Sequence, residues 1–402
     1  MAPNATRRSH WSRWLGGALL ALLTAGALTG WLTLPVQPDA FYAPPRHVPT
    51  QPGVLLRVAA FDRDVPTGAH GWRILYTSTH GDGTPALASA IVLAPAQRGD
   101  HALPVIAWTH GTTGVASGCA PSLLAHPFAN VPALPQALAQ GWAVVATDYT
   151  GLGTPDAHRY LIGEDEARAA LDAVRAAHRM GGLALANDTV VWGHSQGGHA
   201  ALWTGIVAPA YAPEVRVMGV AALAPASDLP ALLHRDQDSL IGRLLSAYIT
   251  SAYVRQYPEL RMEELVRPWT ASLTRDMARR CLAGAGGVVA AGEAALLRRS
   301  LFREDPASGP LGARLAQNVP GAHIEAPLLI VQGLTDTLVW PDLQDAFVHG
   351  RCAAGQPLRY RRYAGRDHLS LVAADSPLTA DLLTWTQQRF AGIADEGNCP
   401  RQ

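Results

Sequence analysis

Short apolar runs recur along the chain, separated by longer segments in which apolar residues repeat at helical spacing. Uninterrupted apolar runs of this length are typical of strands that are buried on both faces of a sheet. Their alternation with helices predicts an α/β fold with a mostly parallel central sheet and helices on both of its faces. The predicted strands are 54–58, 72–77, 86–93, 103–109, 142–147, 189–192, 215–223, 327–331 and 358–363.

Four helical segments accompany these strands. Residues 164–178 place apolar side chains on one face, and Glu164, Asp165 and Glu166 lie in the first turn, where negative charge favours the helix dipole. The other segments are 196–207, 341–349 and 378–390.

Residues 228–322 break this alternation, because they contain no convincing buried strand. Apolar segments at 229–233, 240–253, 262–266, 282–291 and 294–302 predict a helical insertion between two sheet strands. A connection this long in a compact domain indicates a purpose, and we expect a cap or lid over a site. The alternative is a peripheral helical subdomain without a role in substrate access. Residues 41–227 and 323–402 are then the two parts of the core.

The first 40 residues have the pattern of a targeting segment. Arg7, Arg8 and Arg13 precede an uncharged apolar stretch at 14–34, and a Pro-rich exit follows. This pattern predicts export, with the segment acting as a signal peptide or as a single membrane anchor.

Composition narrows the class of protein. Apolar residues make up 48% of the chain and charged residues 16%, and the formal net charge is zero. A nucleic-acid binder would carry a basic excess, so that class is excluded. Four cysteines in an exported chain predict two disulfides, for which three pairings are open. None of the cysteines has metal-ligand spacing, and we expect no metal and no organic cofactor.

A candidate nucleophile follows the strand at 189–192. Gly193-His194-Ser195-Gln196-Gly197 lies between that strand and a helix, the context that the nucleophilic serine of an α/β-hydrolase requires. Glycines on both sides allow the sharp turn that presents the serine hydroxyl.

A serine needs a base and an orienting carboxylate, which in this fold follow it along the chain in the order acid, then base. Asp336 and His368 each come just after a strand, at the sheet edge where we expect Ser195, and we assign them these roles. Competing carboxylates are Asp342, Asp345 and Asp367. The neighbouring His194 and His199 are predicted to be structural.

The oxyanion of an acyl-transfer reaction needs two backbone N–H donors. We expect one from Gln196 and the second from the loop 110–114, which follows the strand at 103–109. Thr112 is favoured in that loop and Gly111 comes next. The Thr112 hydroxyl is a candidate third donor.

These motifs together resemble the secretory lipase family, the group of α/β-hydrolases that includes fungal lipase A. The motifs that carry the resemblance are those at 108–114, 119–122, 148–155, 158–161, 193–198 and 333–336. The runs Cys119-Ala120-Pro121-Ser122 and Gly151-Leu152-Gly153-Thr154-Pro155 are more diagnostic than the serine motif. The loop at 110–114 looks more like that of bacterial members of the family.

The resemblance implies the same triad, a cap before the acid, and hydrolysis of acyl esters that include triglycerides. It also implies disulfides Cys119–Cys281 and Cys352–Cys399. The expected partner is therefore a small-molecule or lipid ester, with contact at a lipid interface, and the mechanism passes through an acyl-enzyme. The alternatives are a peptidase or amidase of the same fold and a non-catalytic ligand-binding module. A complete triad argues against a pure binding module.

Overall fold

A nine-stranded sheet forms the centre of the structure, a computed structural model that describes residues 30–400 apart from residues 31, 98 and 100. The strands are β1 (Leu55–Ala60), β2 (Ala69–Thr79), β3 (Pro85–Pro95), β4 (Leu103–Thr109), β5 (Ala143–Thr150), β6 (Leu185–His194), β7 (Arg216–Leu223), β8 (Leu328–Gly333) and β9 (Arg359–Tyr363). They lie in the order β1-β2-β3-β5-β4-β6-β7-β8-β9. The pairs β1–β2, β2–β3 and β3–β5 are antiparallel, and all pairs from β5–β4 to β8–β9 are parallel.

The mostly parallel sheet that the apolar runs predict is therefore confirmed. Each predicted strand is present, although several are longer than predicted. The predicted strand 72–77, for example, is the middle of β2, which pairs with β3 from Ala69 opposite Pro95 to Thr79 opposite Pro85. The polar ends of β2 escaped prediction because their backbone pairing does not require apolar side chains.

Eleven α-helices surround this sheet within the described residues. They are α1 (Leu134–Ala139), α2 (Gly163–Ala177), α3 (Gln196–Tyr211), α4 (Leu229–Asp236), α5 (Leu240–Gln256), α6 (Met262–Leu265), α7 (Ala271–Ala278), α8 (Gly284–Leu296), α9 (Gly309–Gln317), α10 (Pro341–Ala353) and α11 (Leu378–Phe390).

The two faces of the sheet bury separate hydrophobic cores. Successive side chains of a strand point to opposite faces, so Val191 joins the core of α2 and α3 while Val190 joins the core of α1 and α11. Such two-sided burial explains why the parallel strands appear as continuous apolar runs. The carboxyl ends of β4, β6, β8 and β9 meet at one edge of the sheet.

Residues between β7 and β8 form α4–α9 and have a hydrophobic core of their own. The helical character predicted for this insertion is present, but its details differ from the prediction. The predicted helical segment 294–302 ends early, since α8 stops at Leu296 and Phe302 forms an isolated β-bridge with Val266. Helices α7 and α9 were not predicted, because they are short and depend on packing residues such as Met277 and Leu315 into this core.

Two disulfides link distant parts of the chain. Cys119–Cys281 connects the segment after β4 to the helical insertion, and Cys352–Cys399 connects α10 to the C-terminal tail. Both pairs are those that the family resemblance implies. Within the described part of the chain, no helix has both the length and the hydropathy to cross a membrane. Most of the predicted targeting segment, residues 1–29 and 31, lies outside the described residues.

Candidate active site

Ser195 lies at a strained turn between β6 and α3. Its backbone has φ 61° and ψ −119°, a conformation that residues other than glycine rarely adopt. The turn is also too tight for side chains on either side. A Cβ on Gly193 would lie 2.0 Å from the Gly197 carbonyl oxygen, and one on Gly197 would lie 1.9 Å from the Thr109 carbonyl oxygen. The Gly-x-Ser-x-Gly spacing therefore has a direct steric cause.

Asp336 and His368 are hydrogen-bonded to each other. The Nδ1–H of His368 donates to Oδ2 of Asp336 over 2.8 Å, and both residues are buried. The other carboxylate oxygen of Asp336 accepts the backbone N–H groups of Leu338 and Val339, each at 2.8 Å. Backbone donors stabilise the charged carboxylate and fix its orientation. The ring of His368 is thereby held with Nδ1 towards Asp336, and Nε2 is the ring nitrogen on the opposite side.

The competing carboxylates have other partners. Asp342 accepts two hydrogen bonds from Arg235, Asp345 accepts one from the Tyr360 hydroxyl, and Asp367 is bound to Ser370. The structure therefore brings only Asp336, of the four carboxylates considered, to Nδ1 of His368.

The two histidines beside the serine also have defined partners. His194 is buried, its Nε2–H donates to the His368 carbonyl oxygen over 2.9 Å, and the two rings lie 4.6 Å apart. Burial and the neighbouring His368 hold the pKa of His194 well below its usual range, so it acts as a neutral donor. His199 is also buried, and its Nε2 lies 2.7 Å from the Asn318 carbonyl oxygen.

The two predicted oxyanion donors lie in the same cavity as Ser195. Gln196 is the first residue of α3, and N–H groups in the first turn of a helix have no acceptor within the helix. The Thr112 hydroxyl shares a hydrogen bond of 2.7 Å with the Tyr160 hydroxyl, in which either group can be the donor. Gly111 also lines the cavity.

A cavity of about 480 Å³ adjoins Ser195 and His368. Its floor is formed by residues at the carboxyl edge of the sheet, and α4 and α5 of the insertion contribute much of its wall. The aliphatic side chains that line it are Leu161, Leu229, Leu232, Leu233, Ile241, Leu245, Ile249, Leu282, Leu338, Val339 and Leu369. An apolar cavity with a few convergent polar groups is the usual form of a small-molecule site.

The comparisons with known proteins identify the family. A sequence model of the family described as "Secretory lipase" matches residues 129–397. The chain belongs to the secretory lipase family. Family membership and the two disulfides together indicate an exported protein.

Several named relatives align with most of this chain. A probable inactive lipase of Mycobacterium tuberculosis is 28% identical over 88% of this chain and 82% of its own length. Lipase A of Arthroderma benhamiae is 25% identical over 91% of this chain and 82% of its own length. A trichothecene C-3 esterase of Fusarium sporotrichioides is 26% identical over 89% of this chain and 84% of its own length.

Solved structures show the same fold. Candida antarctica lipase A in its closed state has a TM-score of 0.74 at 20% identity, covering 90% of this chain and 87% of its own. A rice cell wall degrading esterase of Xanthomonas oryzae has a TM-score of 0.65 at 20% identity, and the match covers 85% of this chain and 97% of the esterase chain. The α/β-hydrolase fold predicted from the sequence is confirmed.

The sequence pattern did not predict a role at the cavity for two further acidic residues. Glu166, which the sequence pattern placed only in the first turn of a helix, is buried behind Ser195, and burial raises its pKa. Its carboxylate accepts from the Gln196 side-chain amide at 2.7 Å and from the Leu161 N–H at 3.0 Å. Asp236 lines the cavity itself. Neither position stands out in the sequence, because an acidic residue in a helix is more often exposed.

His158 completes the group behind Gln196. Burial lowers its pKa to about 3, and its Nδ1–H donates to the Thr150 carbonyl oxygen over 3.0 Å. Its Nε2 is therefore an acceptor for the second hydrogen of the Gln196 amide, 3.2 Å away. The Gln196 side chain is therefore held at both of its amide hydrogens.

Among the described residues no cluster of three or more His, Cys, Asp or Glu side chains is arranged to hold a metal ion.

Proposed function

We propose that this secretory lipase is a carboxylic ester hydrolase that forms an acyl-enzyme on Ser195. His368 is its general base and acid, and Asp336 is the orienting carboxylate. The observation that carries the proposal is the 2.8 Å hydrogen bond between His368 and Asp336 at a cavity that Ser195 also lines. The Mycobacterium tuberculosis relative is named a probable inactive lipase, so hydrolytic activity is the first property to test in this chain. The three residues that we assign to the triad are all present in its sequence.

In the first step Nε2 of His368 takes the Ser195 proton as the serine oxygen attacks the ester carbonyl carbon. The imidazolium that forms is stabilised by Asp336, and it then protonates the departing alcohol. Water repeats the sequence on the acyl-enzyme, with His368 again taking a proton and returning it to Ser195. The backbone N–H groups of Gln196 and Thr112 stabilise the negative oxygen in both steps, with Gly111 as the alternative to Thr112.

The insertion at residues 228–322 is proposed to be the cap of this site. Helices α4 and α5 supply aliphatic side chains to the cavity wall, including Leu229, Leu233, Ile241 and Leu245. An apolar wall favours acyl chains by burying their methylene groups. The Cys119–Cys281 disulfide links the middle of this insertion to the segment after β4, and the neighbouring Leu282 N–H donates to the Thr113 carbonyl oxygen over 2.8 Å. The preceding residues 1–40 are proposed to direct export.

A Ser195→Ala variant tests the activity. We expect hydrolysis of p-nitrophenyl esters to fall by roughly 10³-fold or more, because the nucleophile is lost while the cavity remains. A fluorophosphonate probe should label the wild type and not this variant. Ser272→Ala, at an exposed serine of α7, is the matched control and should keep wild-type turnover. Unchanged turnover in Ser195→Ala would contradict the proposal.

The substrate class follows from a series of p-nitrophenyl esters with short to long acyl chains, measured below and above the concentration at which they aggregate. A rise in rate on aggregated long-chain esters identifies a lipase that acts at a lipid interface. Highest turnover on short dissolved esters identifies a carboxylesterase. Faster cleavage of the matching p-nitroanilides would instead identify an amidase, the alternative of the same fold.

A further inference from the structure

Asp236 places a buried carboxylate in the otherwise aliphatic wall of the cavity. It is the last residue of α4, it is 7% exposed, and it lines the same cavity as Ser195 and His368. Its Oδ1 accepts a hydrogen bond from Trp340 Nε1 over 2.8 Å. Among the described residues, no hydrogen-bond donor reaches its Oδ2. One oxygen of this carboxylate is thus unused by the protein.

The surroundings hold this carboxylate in a fixed position. The guanidinium carbon of Arg235 lies 4.4 Å from the centroid of the Trp340 ring, on its face. Arg235 is itself held by a hydrogen bond to Asp342. The indole N–H is therefore directed at Asp236. Leu232 and Leu233 of α4 and Ile241 of α5 line the cavity nearby.

A carboxylate with an unpartnered oxygen in an apolar cavity costs free energy. A neutral amide oxygen would also accept the Trp340 hydrogen bond, so holding Trp340 does not require the second oxygen. A cavity that binds only hydrocarbon would be better lined by another leucine at this position. The Asp236 carboxylate therefore indicates that the bound molecule carries a polar group.

The ionisation of Asp236 supports this reading. Burial raises the pKa of Asp236 to about 6, against the lowering effects of the Trp340 hydrogen bond and of Arg235, while Asp336 adds to the rise. Near neutral pH the side chain is thus a carboxylate that accepts hydrogen bonds. The charged groups around it are Arg235 and Asp336, and Asp342 neutralises Arg235.

We propose that Asp236 is a specificity-determining residue, and that its Oδ2 accepts a hydrogen bond from a hydroxyl group on the part of the ester that occupies the cavity. This inference rests on the proposed ester hydrolysis and adds a substrate class to it, namely esters hydroxylated on the acyl or the alcohol side. A hydroxyl group fits better than an ammonium group. An ammonium ion would have to leave water for an aliphatic cavity, and moving a charge there costs more free energy than moving a neutral hydroxyl group.

The test compares matched esters that differ only in a hydroxyl group. On the acyl side these are p-nitrophenyl octanoate and its derivatives hydroxylated on the sixth, seventh or eighth carbon. On the alcohol side they are propyl octanoate and glyceryl 1-octanoate. We expect the wild type to have a higher kcat/KM for at least one hydroxylated ester than for its plain partner, by about 10-fold, as for one charge-assisted hydrogen bond.

The variants are Asp236→Leu and Asp236→Asn. Asp236→Leu should abolish the preference for the hydroxylated ester, so that the ratio of kcat/KM for the hydroxylated ester to kcat/KM for the plain ester falls to about 1. Asp236→Asn keeps an acceptor for Trp340, so it folds as the wild type does, and it should lower the preference part of the way because the charge is lost. A purely structural role would instead lower the two rates by the same factor.

The outcomes separate this inference from the proposed function. Hydrolysis of plain esters that Ser195→Ala abolishes, with no preference for any hydroxylated partner, overturns the role of Asp236 and leaves ester hydrolysis standing. Faster turnover of p-nitrophenyl 8-aminooctanoate than of the 8-hydroxy ester overturns the assignment to a hydroxyl group. Absence of turnover on all of these esters by the folded wild type overturns the proposed function itself.

Discussion

At the residue scale, the turn that presents Ser195 leaves no space for side chains beside it. A Cβ on Gly197 would overlap the backbone of Thr109, which cannot move without displacing β4. We expect Gly197→Ala to lower the free energy of unfolding by roughly 3 kcal/mol and to abolish esterase activity. Urea unfolding followed by circular dichroism measures the change.

Gly181→Ala is the matched control for that substitution. No atom lies within 4 Å of the position that its Cβ would take, and its φ lies outside the left-handed region. Its stability should stay within about 1 kcal/mol of the wild type. An equal loss in the two variants would show that the tight approach at Gly197 is not the cause.

The assignment of the acid is a second prediction at this scale. Asp336→Asn should lower kcat for p-nitrophenyl butyrate by roughly 10⁴-fold, because an amide at this position no longer holds His368 in the correct tautomer. Asp342→Asn is the control, since Asp342 is bound to Arg235. If Asp342→Asn were the inactive variant and Asp336→Asn were active, the proposed triad would be wrong.

At the scale of elements, a buried histidine joins three parts of the chain beside the site. His80, in the turn after β2, contacts Asp165 of α2 and Asp156 of the loop 151–162, each at 2.6 Å. That loop also carries Tyr160, whose hydroxyl contacts Thr112. The position of the proposed oxyanion donor thus depends on an ionic contact that lies outside the cavity.

This contact predicts a pH dependence of stability. Burial alone would lower the pKa of His80, but its hydrogen bonds to Asp156 and Asp165 outweigh that effect and raise the pKa to about 9. The folded state therefore binds a proton more tightly than the unfolded state. The added stability is complete below about pH 6.5 and is lost as the pH rises to about 9.

The wild type should have a higher free energy of unfolding than His80→Gln, and this difference should be larger at low pH than at high pH by roughly 2 kcal/mol. This figure is smaller than the full effect of the pKa shift, because Asp156 is half-exposed to solvent. Urea unfolding at pH 6 and at pH 9.5 measures this difference. His349→Gln, at an exposed histidine of α10, should show no such pH dependence. A constant difference between wild type and His80→Gln at both pH values would exclude a charged His80.

At the scale of the whole molecule, the disulfides join the core to the insertion and to the C-terminal tail. Cys119 and Cys281 are 162 residues apart in sequence, and Cys352 and Cys399 are 47 apart. Removal of the first pair by Cys119→Ser/Cys281→Ser should lower the free energy of unfolding by roughly 2–4 kcal/mol. The second pair, removed in the same way, closes a shorter loop and should cost less.

Differential scanning calorimetry of the two double variants checks this order. The first pair also borders the loop that carries Thr112, so its loss should reduce kcat for esters, whereas loss of the second pair should not. Equal losses of activity in both double variants would show that the effect is general destabilisation.

Much of the fold could be predicted because its causes are local in the sequence. The central strands β4, β5 and β8 are buried on both faces of the sheet, so each appears in the sequence as a continuous apolar run. The edge strand β9 is polar and only partly buried. The context of Ser195 is local as well, since strand, turn and helix adjoin within about ten residues. The helices of the insertion were predicted less well, because α7 and α9 depend on packing with segments distant in sequence.

The sequence by itself determined the α/β class, the residues of the sheet and the three residues assigned to the triad, since patterns and order along one chain are enough for these. Only the tertiary structure decided which side chains meet. It placed Glu166 and His158 behind Gln196, and it brought Asp236 and Trp340 together in the wall of the cavity. Such contacts join residues far apart in the chain. Their burial depends on tertiary packing, which a local sequence pattern cannot predict.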